Sequence, residues 1–239
     1  MDTTLRNQTF FSKVNIAKFL TEADDNNHLM AKVVLVVGIA GACRKSELTF
    51  LRVEDVTDEE TYFRVNIPNT KSRVIREFVI TPGDIEGLNF VNIIRKYRNL
   101  RPKNIKHNGF FVRHRNGKCG VQPVGINTIG QLPKMTAQMI GLPNCALFTG
   151  HCFRSSSDTL LADSGANILK IKQHGGWKSD SVAEGYVENK KTISGDILGE
   201  PSNINNIYHG ILLQFQQIRF ILELLSLTVP TALSIFIIK

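Results

Sequence analysis

The sequence is poor in the residues that build covalent or metal-held scaffolds. Four cysteines, Cys43, Cys119, Cys145 and Cys152, are spread over 239 residues with no C-x-x-C pair. That is too sparse for a disulfide framework in a chain this long, and it reads as reduced thiols in a cytosolic or nuclear protein. His107, His114 and His174 have no cysteine or carboxylate beside them at metal-ligand spacing, so no metal site is expected. A G-x-x-x-x-G-K phosphate loop is missing, and use of ATP or another cofactor is not implied. The opening MDTTLRNQTFF lacks the apolar run of a secretory signal, and no internal repeat or low-complexity tract points to a solenoid.

What is present suits a globular domain. Apolar residues make up 42% of the chain, enough for one substantial core or two small ones. Lys and Arg number 29 against 21 Asp and Glu, a formal charge of +8 that favours an anionic partner such as nucleic acid, although a basic protein without one stays open. Residues 224–238 are uncharged and strongly apolar, yet they are only 15 long and contain Pro230, whereas a membrane span needs about 20. A membrane partner is therefore not expected.

Hydrophobic spacing predicts a helix over 12–23, closed by the polar run Asp24-Asp25-Asn26-Asn27, and a buried helix over 29–37 that ends in a tight turn at 38–41. A short helix over 45–51 follows, then two paired strands over 62–67 and 74–80 whose connecting loop contains Lys71. Helical patterning returns over 87–97 and weakly over 124–140. A loop-rich stretch between them carries Arg113, His114, Arg115 and Lys118. Helices over 153–162 and 166–173 stop at Ser164-Gly165 and Gly175-Gly176, and a further short helix capped by Ser179 or Ser181 would carry Tyr186. The spacing of Ile211, Phe215, Ile218, Leu222 and Leu225 makes a narrow apolar seam, either an internal packing face or a seat for a partner helix.

Two segments concentrate groups suited to one chemistry: GIAGACRKSELTFLRVEDV around Arg44, and HCFRSSSDTLLADSGANILKIKQHGGWKSDSVAEGYV from His151 to Val187. A phosphodiester is opened without a metal when an enzyme supplies a nucleophile, a cationic cradle for the non-bridging oxygens and an acid for the leaving oxygen. Arginine suits the cradle because its planar fork donates two hydrogen bonds and stays charged when desolvated. A tyrosine hydroxyl, with an ordinary pKa of about 10, needs such a positive field to attack at neutral pH. Cys43 and Cys152 adjoin the arginine and histidine positions, where they are either thiols with depressed pKa or structural thiols.

Over residues 13–195 these boxes resemble the tyrosine recombinase, or phage integrase, family, with a run most similar to recombinases of eukaryotic mobile elements. The resemblance implies an α+β, mainly α-helical fold, that of the DNA breaking-rejoining catalytic domains, with a small antiparallel sheet near the hairpin carrying Lys71. It also implies a set of roles: Arg44 and Arg154 as the phosphate arginines, Glu47 as the supporting acid, His151 and Trp177 as further phosphate contacts, Lys71 as the acid and Tyr186 as the nucleophile. The expected activity is DNA recombination or integration through a covalent 3′-phosphotyrosine, with double-stranded DNA as partner and a homo-oligomer on DNA through the C-terminal helix. The expected division is a short remnant over 1–12, the catalytic domain over 13–195, and a linker with an apolar tail over 196–239. The location would be the nucleus in a eukaryote and the cytoplasm otherwise. Little sequence precedes residue 13, where family members usually carry a DNA-clamping helical domain, and this motivates the alternative of an inactive DNA-binding derivative.

Overall fold

The computed structural model describes residues 9–68, 70, 75–83 and 85–175. The elements within them run α1 (Lys13–Glu22), α2 (Asp25–Ala40), α3 (Lys45–Phe50), β1 (Val56–Asp58), β2 (Phe63–Ile67), β3 (Arg76–Ile80), α4 (Phe90–Asn99), β4 (Val112–Arg115), β5 (Lys118–Pro123), α5 (Ile126–Met139), α6 (Cys152–Asp163) and α7 (Ile168–Gly175). The class is the expected one, mainly helical with small antiparallel sheets.

The apolar run in α2 decides the arrangement. Every residue from Leu29 to Gly38 is buried, so this helix has no face left for water and must be wrapped on all sides. Helices α1, α3, α4, α5 and α6 and strands β3 and β4 supply the wrapping. Lys32 is tolerated inside because its long stem carries the ammonium out to Asp25, 2.7 Å away. Gly38 lets α6 approach closely: a Cβ there would stand 2.9 Å from Cγ of Phe153.

Local signals set the ends of the elements. Ser12 caps α1 by accepting from the Asn15 amide at 3.2 Å, while Asn15 accepts from the Ser12 amide at 3.1 Å. The polar run that closes α1 also opens α2, for Asp24 accepts from the Asn26 amide at 3.1 Å. Helix α2 therefore starts four residues before the expected position, and it continues to Ala40. The turn falls at Gly41 and at Ala42, which adopts a left-handed φ of 45°.

Strands β1, β2 and β3 form one antiparallel sheet, with Val65 opposite Val56 on one side and Phe78 on the other. Lys71 belongs to the connection between β2 and β3 and lies outside the described residues. The loop-rich stretch expected between the helical patterns of 87–97 and 124–140 is corrected: β4 and β5 form a hairpin there, with Arg115 opposite Lys118. Asn116 and Gly117 make its two-residue turn with φ of 51° and 71°, and the Gly117 amide docks on the Asn26 carbonyl at 2.7 Å. Among the described residues no helix is long and apolar enough to cross a membrane, and 224–238 lies outside them.

Tyr97 joins α4 to this hairpin inside the core. Its hydroxyl donates to the Val112 carbonyl at 2.9 Å and accepts from the Val112 amide at 2.8 Å, and burial pushes its pKa up. Tyr97→Phe strands both backbone groups, so urea unfolding is expected to show a loss of about 2 kcal/mol with an unchanged slope.

Candidate active site

Where α2 ends, the turn through Gly41, Ala42 and Cys43 delivers Arg44 to the start of α3. Glu47 then occupies the third helical position, from which a carboxylate can reach back to the backbone amide at the helix start. Its Oε2 accepts from the Arg44 amide at 2.8 Å, and its Oε1 pairs with Arg44 Nη1 at 2.9 Å. The R-x-x-E spacing therefore fixes both the backbone and the guanidinium of Arg44 through one side chain.

Two more guanidinium groups reach the same carboxylate. Arg76, the first residue of β3, places Nη2 2.7 Å from Glu47 Oε2, while its Nη1 donates to the Gly41 carbonyl at 2.8 Å and the His174 carbonyl at 3.2 Å. The strand comes this close because residue 41 is glycine: a Cβ there would stand 2.2 Å from Cε1 of Phe78. Arg154, in the first turn of α6, has Nη2 3.9 Å from Glu47 Oε2 and donates from Nη1 to the Gly175 carbonyl. Glu47, Arg76 and Arg154 are buried, and the Arg44 side chain, 25% exposed, is the one open to solvent.

Among the described residues the charges of this cluster are unequal. Asp158 lies one turn beyond Arg154 and is also buried, which sets two carboxylates against three guanidinium groups. Arg154 is pushed down to about 10, first by burial and then by the positive charges of Arg44 and Arg76, with Glu47 and Asp158 opposing. It stays charged at neutral pH, and among the described residues the guanidinium in excess is Arg44, the one open to solvent, where an anion can reach it.

His174 is half-buried in α7, with Nε2 2.8 Å from the Ser157 hydroxyl. Burial pushes it down to about 4, and Arg76 and Arg154 act in the same direction. Burial pushes the Cys43 thiol up to about 12 and raises Cys152 as well, which decides for structural thiols over reactive ones. Among the described residues no three His, Cys, Asp or Glu side chains are placed to hold a metal.

Of the expected site residues, Arg44, Glu47 and Arg154 are brought together, and exposed His151 precedes α6 on the turn that leads to Arg154. Lys71, Trp177 and Tyr186 lie outside the described residues. Sequence reasoning missed Arg76, Asp158 and His174 as members of the cluster. A signal for Arg76 existed: it shares a strand face with Phe78 and Ile80, and an arginine on a core-facing position needs a buried acid.

Replacing Glu47 with Gln keeps the volume but removes the charge that three arginines share. Urea denaturation is expected to register a loss of about 3 kcal/mol. His174 adds a pH dependence. Between about 6.5 and about 4 the unfolded chain binds a proton at this residue that the folded site excludes, so stability falls as pH drops through that window and is unaffected above it. The drop should be about 1–3 kcal/mol and should flatten in His174→Gln, as read from urea midpoints across that range.

Comparison with known proteins follows the same lines. The XerA recombinase structure superimposes with a TM-score of 0.58 at 18% identity, covering 80% of this chain and 64% of that one. XerH site-specific recombinase, solved on its difH substrate after cleavage, gives 0.59 at 16% identity, covering 78% and 51%. The Tn1549 transposon integrase, solved with a circular intermediate DNA, gives 0.56 at 15% identity, covering 82% and 68%. The chain thus spans less than two thirds of the length of either Xer recombinase, and no curated protein matches it in sequence. These likenesses establish the fold. The model of the phage integrase family matches residues 9–192, well over half of the sequence, and the chain belongs to that family of tyrosine recombinases.

Proposed function

We propose that residues 13–195 form the catalytic domain of a recombinase that cuts and rejoins double-stranded DNA through a covalent 3′-phosphotyrosine. The observation that carries this reading is the convergence of Arg44 and Arg154 on one buried carboxylate, Glu47, with the Arg44 guanidinium open to solvent where a phosphodiester can reach it. DNA bound to the XerH and Tn1549 proteins in their solved structures supports DNA as the partner.

In this reading Arg44 and Arg154 hold the non-bridging oxygens, with hydrogen bonds from His151 and Trp177. The Tyr186 oxygen attacks phosphorus as the bond to the 5′-oxygen breaks, and Lys71 protonates that leaving oxygen while the phenolic proton passes to solvent. A new phosphorus–tyrosine bond replaces the broken one, so the diester's energy is kept for rejoining by reversal with another 5′-hydroxyl. No cofactor enters the scheme. Residues 1–12 flank the domain, and the seam from Ile211 to Leu225 in the 196–239 extension is assigned to contact between protomers on DNA. A mobile-element origin and a nuclear location in a eukaryotic host complete the proposal.

A duplex nicked beside the scissile phosphate traps the adduct, because the cut fragment diffuses away. The native chain should form a protein–DNA complex that survives denaturing gels, Tyr186→Phe none, and Arg44→Ala or Arg154→Ala a complex at least about 10²-fold slower. Tight binding of a cognate site by native protein without any adduct would sink the catalytic reading in favour of an inactive DNA-binding derivative.

A further inference from the structure

Arg76 has no part in the chemistry just assigned, yet its contacts are the most far-reaching in the cluster. One guanidinium group joins three chain segments: the turn before Arg44, through the Gly41 carbonyl; the start of α3, through Glu47; and the end of α7, through the His174 carbonyl. The Nη1 nitrogen serves both carbonyls and Nη2 the carboxylate, a spread over two nitrogen positions that a planar fork holds fixed and a single ammonium nitrogen lacks. Arg154 repeats the arrangement one residue on, donating to the Gly175 carbonyl. The last carbonyls of α7 have no partners within their own helix, and here two cationic side chains hold them, as the negative end of a helix favours. Next in sequence come Gly176 and Trp177.

We propose that Arg76 is a positioning residue for strand cleavage, locking the Arg44–Glu47 pair to the last turn of α7 so that the upstream arginine box and that turn keep one relative placement. This rests on the recombinase reading of the same site. It goes further in giving a task to an arginine that the scheme above leaves without one. A displacement of about 1 Å in such a frame costs about 10²-fold in rate without loss of binding. An arginine serving only as a buried ion pair would contribute to stability alone.

The chain contains one tryptophan, Trp177, so its intrinsic fluorescence reports on the segment after α7 with no label. Full-length Arg76→Lys and Arg76→Ala are compared with native protein. The lysine variant retains a charge beside Glu47 and guards against an alanine variant that fails to fold. Both are expected to bind the nicked duplex within about 2-fold of native, to form the covalent adduct about 10²-fold more slowly, and to show Trp177 more open to acrylamide quenching. A folded Arg76→Lys with native adduct rate and native quenching overturns the proposal. So does an adduct rate that falls only in step with the unfolded fraction. Should native protein form no adduct, the recombinase reading fails by itself, and the quenching comparison still decides whether Arg76 holds the end of α7.

Discussion

The carboxylate of Glu47 is the point on which the rest of the site depends. It bonds the backbone and side chain of Arg44, accepts Arg76 from the sheet and faces Arg154 from α6, so one buried acid joins segments more than a hundred residues apart. Such an arrangement is costly to assemble, because each charge must leave water before it meets its partners. Burial of α2 supplies the compensation: ten consecutive residues leave water, and the turn at the end of that helix places Arg44.

The frame is also electrically incomplete. Among the described residues two buried acids face three guanidinium groups, with Arg44 at the solvent edge and His174 held neutral beside them. In the proposed function a bound phosphodiester offsets that surplus, so a ligand of that charge would also stabilise the folded site.

Much of this was legible in the sequence. The uniform apolar run of α2 marked a buried helix, and the R-x-x-E spacing marked the pairing of Arg44 with Glu47 at the start of α3, because helix periodicity and capping are short-range codes. The β4–β5 hairpin was missed although Asn116-Gly117 is a strong turn signal; the charges of Arg113, Arg115 and Lys118 around it mask the alternation of its strands. Strand β1 is only three residues long, too short for any pattern. Arg76 stands five residues after Lys71, and nothing local says that Glu47, 29 residues away, is its partner. Asp158 and His174 were illegible for the same reason: their surroundings are set by how α6 and α7 pack. For Lys71, Trp177 and Tyr186 the described residues add nothing to what order and spacing imply.

The two sides of the cluster differ in what must open to disturb them. Arg44 follows a turn whose Cys43 amide is bonded to the Gly38 carbonyl inside the core, so exposing that turn means dismantling the packing around α2. Helix α7 has eight residues, of which only Ile171 and Gly175 are buried, so its hold on the core rests on few apolar contacts besides the bonds from Arg76 and Arg154, and it opens at smaller cost. Fluctuation of the site therefore enters from one side, with the arginine frame sharing the lifetime of the whole fold and the end of α7 setting the shorter interval over which the assembled geometry persists.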